Sequence, residues 1–174
     1  MTPFSFEHVF AAPSTEAVFA AYWDPTHQTV QDEAVSIARR DIVELDDRGD
    51  QLRRVSRVFP KKQLPALIRS LVPGQLHYLE TAIWTRKLDE IAIDIWFGKR
   101  VHTCGIYRLE RKGPDEIRRT YRGEVSVDIA LVAGRIERGI VCELECSMPL
   151  AAACTQRWLE AHAADDLRSV AARA

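Results

Sequence analysis

The 174-residue sequence is short of the features that would quickly narrow its function. Its four cysteines, at 104, 142, 146 and 154, include no C-x2-C pair, and no histidine stands at matching spacing, so the usual turn-borne structural zinc site is missing. Its eight glycines never cluster ahead of Lys-Ser or Lys-Thr, and Gly134 and Gly139, which flank Arg-Ile-Glu-Arg, make no phosphate loop. Charge of one sign is lacking too: 24 Lys and Arg against 25 Asp and Glu leave a net charge of -1. That balance provides no field to draw nucleic acid or an anionic membrane, so a nucleic-acid partner is not expected. No run approaches the roughly 20 apolar residues of a membrane span. The opening MTPFSFEHVFAAPSTEAV has no basic leader, and Glu7 and His8 interrupt its apolar residues, so a cytoplasmic location is expected. Four cysteines in that setting read as reduced thiols, not a disulfide framework.

What is present is globular: 47% hydrophobic and 28% charged residues. A chain of this length folding as one unit buries roughly 70% of the surface its unfolded form exposes. The expectation is a single domain over residues 1–174, with 163–174 as a fraying tail.

Phe4, Phe6, His8 and Phe10 alternate with other residues at the period of a half-buried strand. Pro13-Ser14-Thr15-Glu16 then predicts a helix with Ser14 as its N-cap, and Asp24 with Pro25 predicts a second, from about Pro25 to Ala34. Strands follow over Ser36 to Leu45 and Gln51 to Phe59, joined by a polar loop containing Gly49. Pro60 to Val72 is read as a short apolar helix or loop. Strand texture returns in Leu76 to Arg86, Glu90 to Phe97, Val101 to Arg111 and Glu116 to Asp128, with short turns that imply an antiparallel meander. From Asp128 the period becomes helical, with Val132, Ile136, Ile140 and Leu144 on one stripe. Pro149 is expected to kink or break that helix, with Leu150, Cys154, Trp158 and Ala161 resuming the stripe.

This order predicts an α+β fold: a curved antiparallel sheet of about seven strands wrapped around a long C-terminal helix, with two short helices after the first strand. The stretches "LPALIRSLVPGQLHYLETAIW" (Leu64 to Trp84), "YRGEVSVDIALVAGRIERGI" (Tyr121 to Ile140) and "TQRWLEAH" (Thr155 to His162) carry a resemblance. The chain resembles the START-related superfamily, which includes polyketide cyclases and the birch-pollen allergen group. Within it, the chain is similar to the bacterial domain-of-unknown-function 2505 family. The resemblance implies a helix-grip fold and, by what the wider superfamily does, an apolar ligand such as a lipid, sterol or polyketide held between sheet and helix.

The expected binding residues are Phe6, His8, Trp84, Ile93, Trp96, Tyr107, Arg119, Tyr121 and Val125 on the sheet, with Val132, Ile136, Ile140 and Leu144 on the helix. In "EIRRTYRGEVSV" Arg119 shares the parity of Ile117, Tyr121 and Val125, which puts a charge on the inward face. It must meet a carboxylate, with Asp41 and Glu80 as candidates, or address a ligand. His8 is read as a hydrogen-bonded core residue, with a ligand contact or a catalytic base as alternatives. Cys142, Cys146 and Cys154 are read as small core residues of the helix, and Gly134 and Gly139 as a close approach of helix to sheet or an irregular first turn. No catalytic motif, cofactor or metal site is recognisable. Two other readings stay open: a cyclase, dehydratase or hydrolase using the same cavity, and a co-chaperone-like partner protein with a filled interior. The apolar run "QLPALIRSLVPG" is read as packing against the sheet, with a cavity lid or transient membrane contact as alternatives; ligand identity and oligomeric state stay open.

Overall fold

Period-two alternation produces the first strand, β1 (Thr2–Ala11), with Phe4 and Phe10 buried and Phe6 and His8 half-buried. Two capped helices follow. The Ser14 hydroxyl accepts from the Ala17 N–H to open α1 (Thr15–Trp23), and Asp24 accepts from the His27 N–H to open α2 (Pro25–Ala34), which has proline at its start. The computed structural model describes residues 1–61 and 76–171, with side chains as far as residue 163. The expected element between Pro60 and Val72 lies almost wholly outside the described residues, as do the lid and membrane readings attached to it.

Six further strands complete one sheet: β2 (Ile37–Asp47), β3 (Gln51–Pro60), β4 (Tyr78–Thr85), β5 (Glu90–Phe97), β6 (Val101–Gly113) and β7 (Glu116–Val127). Their order across the sheet is β1-β7-β6-β5-β4-β3-β2, every neighbouring pair antiparallel. The turn expected at Lys87 to Asp89 is a short 3-10 helix, Arg86–Leu88.

Because side chains alternate across a strand, the register fixes which residues share the helix-facing side. One row runs Phe6, Tyr121, Tyr107, Ile91 and Trp84. The next runs Phe4, Gly123, Gly105, Ile93, Ala82 and Arg54. A third runs Val125, Thr103, Ile95, Glu80 and Ser56. A row of large residues thus lies beside one in which Gly123, Gly105 and Ala82 are small.

The long helix α3 (Ala133–Ala171) packs on β1 and β7 and against α1 and α2. Its inward stripe is Ile136, Ile140, Leu144, Met148, Ala152, Thr155 and Leu159. Of the kink or break expected at Pro149, the break does not occur: α3 runs on through it and the stripe keeps its phase. Pro149 lies on the exposed side, where the carbonyl it leaves unbonded can reach water. Leu150 is 49% exposed, so it is not part of the resumed stripe, and Ala161 is exposed as well. The expected tail from residue 163 is helical to Ala171. Of the helix cysteines only Cys154 is buried, while Cys142 and Cys146 face outward. Nor do the helix glycines mark a close approach: a Cβ on Gly139 would meet nothing within 4 Å.

Candidate functional site

The facing sides of the sheet and α3 are lined by residues the sequence pattern placed there. Phe6, His8, Trp84, Ile93, Tyr107, Arg119, Tyr121 and Val125 all lie on the helix-facing side, and Ile136, Ile140 and Leu144 approach from α3. Val132 stands just before the first turn of α3 and packs on the same core. Trp96 does not join them. It shares the outer face with His102 and Asp94, is 40% exposed, stacks on the His102 ring at 4.1 Å and donates its Nε1–H to Asp94. The reason is parity: Trp96 is one residue off the Ile91, Ile93, Ile95 series.

Aromatic rings form the floor. Tyr107 and Tyr121 stack with centroids 4.0 Å apart, Phe4 leans on Tyr121 at 4.9 Å, and Tyr22 of α1 reaches Tyr107 at 6.2 Å. Phe19 and Trp23 close on Trp84. The Tyr107 hydroxyl donates to the Met148 sulfur of α3 at 3.6 Å. Burial pushes the Tyr107 hydroxyl up to about 12 and the Tyr22 and Tyr78 hydroxyls higher still. Yet all three keep water-accessible surface, whereas Tyr121 is closed off.

The charges inside are arranged unevenly. Arg40 is held between two buried carboxylates, donating to Asp32 at 3.0 Å and to Glu80. Arg54 donates to Gln28 and lies over the rings of Tyr22 and Trp23. Arg119, 7% exposed, has no carboxylate partner among the described residues. Its expected partners are elsewhere: Glu80 is taken by Arg40, and Asp41 pairs with Arg39 near the surface. The Arg119 guanidinium instead lies 5.0 Å from the Phe10 ring centre and 5.2 Å from that of Tyr107, with Nη2 3.4 Å from His8 Nδ1. Burial, and then the nearby Arg119 charge, hold His8 below its ordinary value of 6.5, favouring the neutral ring.

Polar atoms without partners gather on the same side. Arg54 Nε, Ser56 Oγ, Trp84 Nε1, Thr103 Oγ1 and Arg119 Nε are all buried and make no hydrogen bond. Buried polar groups are normally paired, so a face carrying several unpaired ones is a face suited to something with acceptors. Arg54, Ser56, Thr103 and Tyr22 were missed by the sequence reading. The parity of β3 carries the signal for the first two, since Arg54, Ser56 and the fully buried Val58 alternate together.

On the outer face a groove of about 400 Å³ lies over Thr81, Ile83, Ala92, Asp94, Cys104, Ile106 and Arg122. It shares no side chain with the Phe6, Tyr121, Tyr107, Ile91 and Trp84 row, while Ile93, Gly105 and Gly123 of the neighbouring row also border it. Among the described residues no helix is long and apolar enough to cross a membrane, and no group of three or more His, Cys, Asp or Glu is placed to hold a metal.

A seven-stranded antiparallel sheet gripping one long C-terminal helix, with two short helices after β1, is the helix-grip fold of START-related proteins. Within that class the chain belongs to the family described as "Protein of unknown function (DUF2505)", whose model matches residues 5–159. Similar solved structures include the Zhui aromatase/cyclase from Streptomyces sp. R1128, at TM-score 0.62 and 13% identity over 91% of this chain and 93% of that one. A START superfamily protein from Mycobacterium smegmatis is similar at TM-score 0.58 and 14% identity, over 92% and 98%. Norcoclaurine synthase from Thalictrum flavum, in complex with dopamine and hydroxybenzaldehyde, is similar at TM-score 0.58 and 16% identity, over 91% and 87%. Likeness at these identities establishes the fold alone. No functionally curated protein sequence matches this chain.

Proposed function

We propose that this protein binds a hydrophobic small molecule in the space between its sheet and α3. One observation carries the reading: the helix-facing side holds buried polar atoms without hydrogen-bond partners, Ser56 Oγ, Trp84 Nε1 and Thr103 Oγ1, beside a row of aromatic rings, as a wall meant to meet a ligand would. A ligand seated there would gain roughly 25 cal/mol per Å² of apolar surface removed from water. The unpaired donors of Ser56, Trp84 and Thr103 would then orient whatever oxygens it carries. A filled interior, as a purely protein-binding relative would have, is disfavoured by the same unpaired polar atoms, since a packed protein interior normally satisfies them.

Catalysis in that space is the second reading, and His8 favours it. It is an inward-facing group held in its neutral form beside a cation, so it is available to accept a proton. The similar folds include an enzyme named as an aromatase/cyclase and one named as norcoclaurine synthase. Native mass spectrometry with organic extraction, on protein purified from its own host, tests the binding reading. A bound apolar molecule at stoichiometric occupancy is expected. Finding none, together with no thermal shift across a panel of fatty acids, sterols and aromatic polyketides, counts against it. His8→Ala that keeps binding but abolishes turnover of the extracted molecule would move the assignment to an enzyme.

A further inference from the structure

We infer that the ligand of this interior is an acid, and that Arg119 is the group that takes its carboxylate. The inference rests on the proposed cavity and adds the ligand's charge to it. A guanidinium removed from water is costly unless paired. Among the described residues the buried interior holds three guanidiniums, Arg40, Arg54 and Arg119, against three carboxylates, Asp32, Glu80 and Glu137. Arg40 engages Asp32 and Glu80, Asp32 also accepts from Gln28, and Glu137 is taken by the Met1 ammonium, Thr2 and the Val127 N–H. One or more positive charges therefore stay uncompensated, and Arg119 is the one with least relief. Its Nε has no acceptor, and its contact with His8 is long.

The rings of Phe10 and Tyr107 give Arg119 some face-on stabilisation but do not neutralise it. The nearby imidazole does not serve as a counter-ion either, because it is neutral or positive in any state. A ligand carboxylate matches the planar fork of a guanidinium and would supply the missing charge. The aromatic row beside it, Phe6, Tyr121 and Tyr107, suits an aromatic or otherwise apolar body.

The test compares 2-naphthoate with its methyl ester, which has the same ring and no charge, by calorimetric titration of the full chain at neutral pH. The acid is expected to bind the natural protein at least roughly tenfold more tightly than the ester, as a charge-assisted pair in a dry site should give. In Arg119→Gln the acid should lose that advantage while the ester binds as before, and Arg119→Lys should recover part of it. Ester binding without a preference for the acid overturns this inference and leaves the cavity standing. Failure of both probes to bind the natural protein overturns both. If Arg119→Gln does not fold, as judged by its circular dichroism, the acid-against-ester ratio in the natural protein decides alone.

Discussion

Phe4 and Gly123 stand opposite each other across the β1/β7 ladder, and the phenylalanine ring occupies the volume a side chain at 123 would need. A Cβ on Gly123 would lie 2.6 Å from Phe4 Cζ and 2.1 Å from the Cys104 carbonyl oxygen. The ring can turn, but the carbonyl belongs to the neighbouring strand and cannot move without disturbing the ladder. Gly123→Ala is therefore expected to cost about 2 kcal/mol or more, in the range of core overpacking. Urea denaturation measures it; a loss under about 0.5 kcal/mol, typical of a neutral surface change, would contradict the packing described.

Arg40 joins α2, β2 and β4 through Asp32 and Glu80, all three largely out of water. Replacing it by methionine keeps much of the volume but leaves two buried carboxylates without their cation. The expected loss is about 3–5 kcal/mol, as for one partner removed from a buried ion pair. The double variant Arg40→Met with Glu80→Gln should regain part of that loss. Additive losses in the double-mutant cycle would show that the two side chains do not interact.

His27 is 3% exposed, with its Nε2 3.2 Å from the Thr155 hydroxyl, so it fastens α2 to α3. Burial is the largest influence on its pKa and holds it below the ordinary 6.5, against the opposing pull of Asp24. The unfolded chain then binds the proton more readily than the folded one. Stability rises with pH through the interval between the folded value and 6.5, and is lost on acidification through it. Thermal melting between pH 7.5 and pH 5, roughly spanning the histidine range, should show that decline, and His27→Gln should flatten it. An unchanged slope in the variant would assign the decline to other groups.

Leu131, between β7 and α3, has a φ of 69° and its side chain is fully exposed. A leucine in the left-handed region costs about 1–2 kcal/mol against its preferred conformations. Leu131→Gly removes that strain and forfeits no packing, so a stabilisation of about 0.5–1 kcal/mol is expected. A destabilised Leu131→Gly would mean that the leucine side chain holds something in place.

Much of this architecture was legible because the period is clean where the elements are long. The alternation of Ile117, Arg119, Tyr121 and Val125 put a charge and a ring on the inner face, and the register agrees. Ser14 and Asp24 announced both short helices through capping chemistry that acts within three residues. Where local chemistry does not decide, the reading failed. Asp41 was placed inward, but the register of β2 slips between Ile37 and Arg39 and again between Ile42 and Glu44, so alternation cannot be carried along that strand. Arg40, its neighbour, is the residue that turns in. Trp96 was grouped with Ile93 although they stand three apart in one strand, which parity alone separates. The covalent limits of Pro149 predict a kink or a break without deciding between them, because that depends on whether the freed carbonyl faces water, a property of the folded surface. The partner of Arg119 was not legible at all. Whether a buried charge is paired depends on strands far apart in sequence, and here both candidate carboxylates were already committed.

The proposed binding mode seats guests on the side of the sheet facing α3 and not in the outer groove. Isotope-filtered NMR of the protein with methyl 2-naphthoate places the guest directly. Nuclear Overhauser contacts are predicted from the naphthalene protons to the rings of Tyr22 and Tyr107 and to the methyls of Ile140 and Leu144. Contacts confined to Ile83, Ile106 and their outer-face neighbours, or no bound guest at all, would rule that binding mode out.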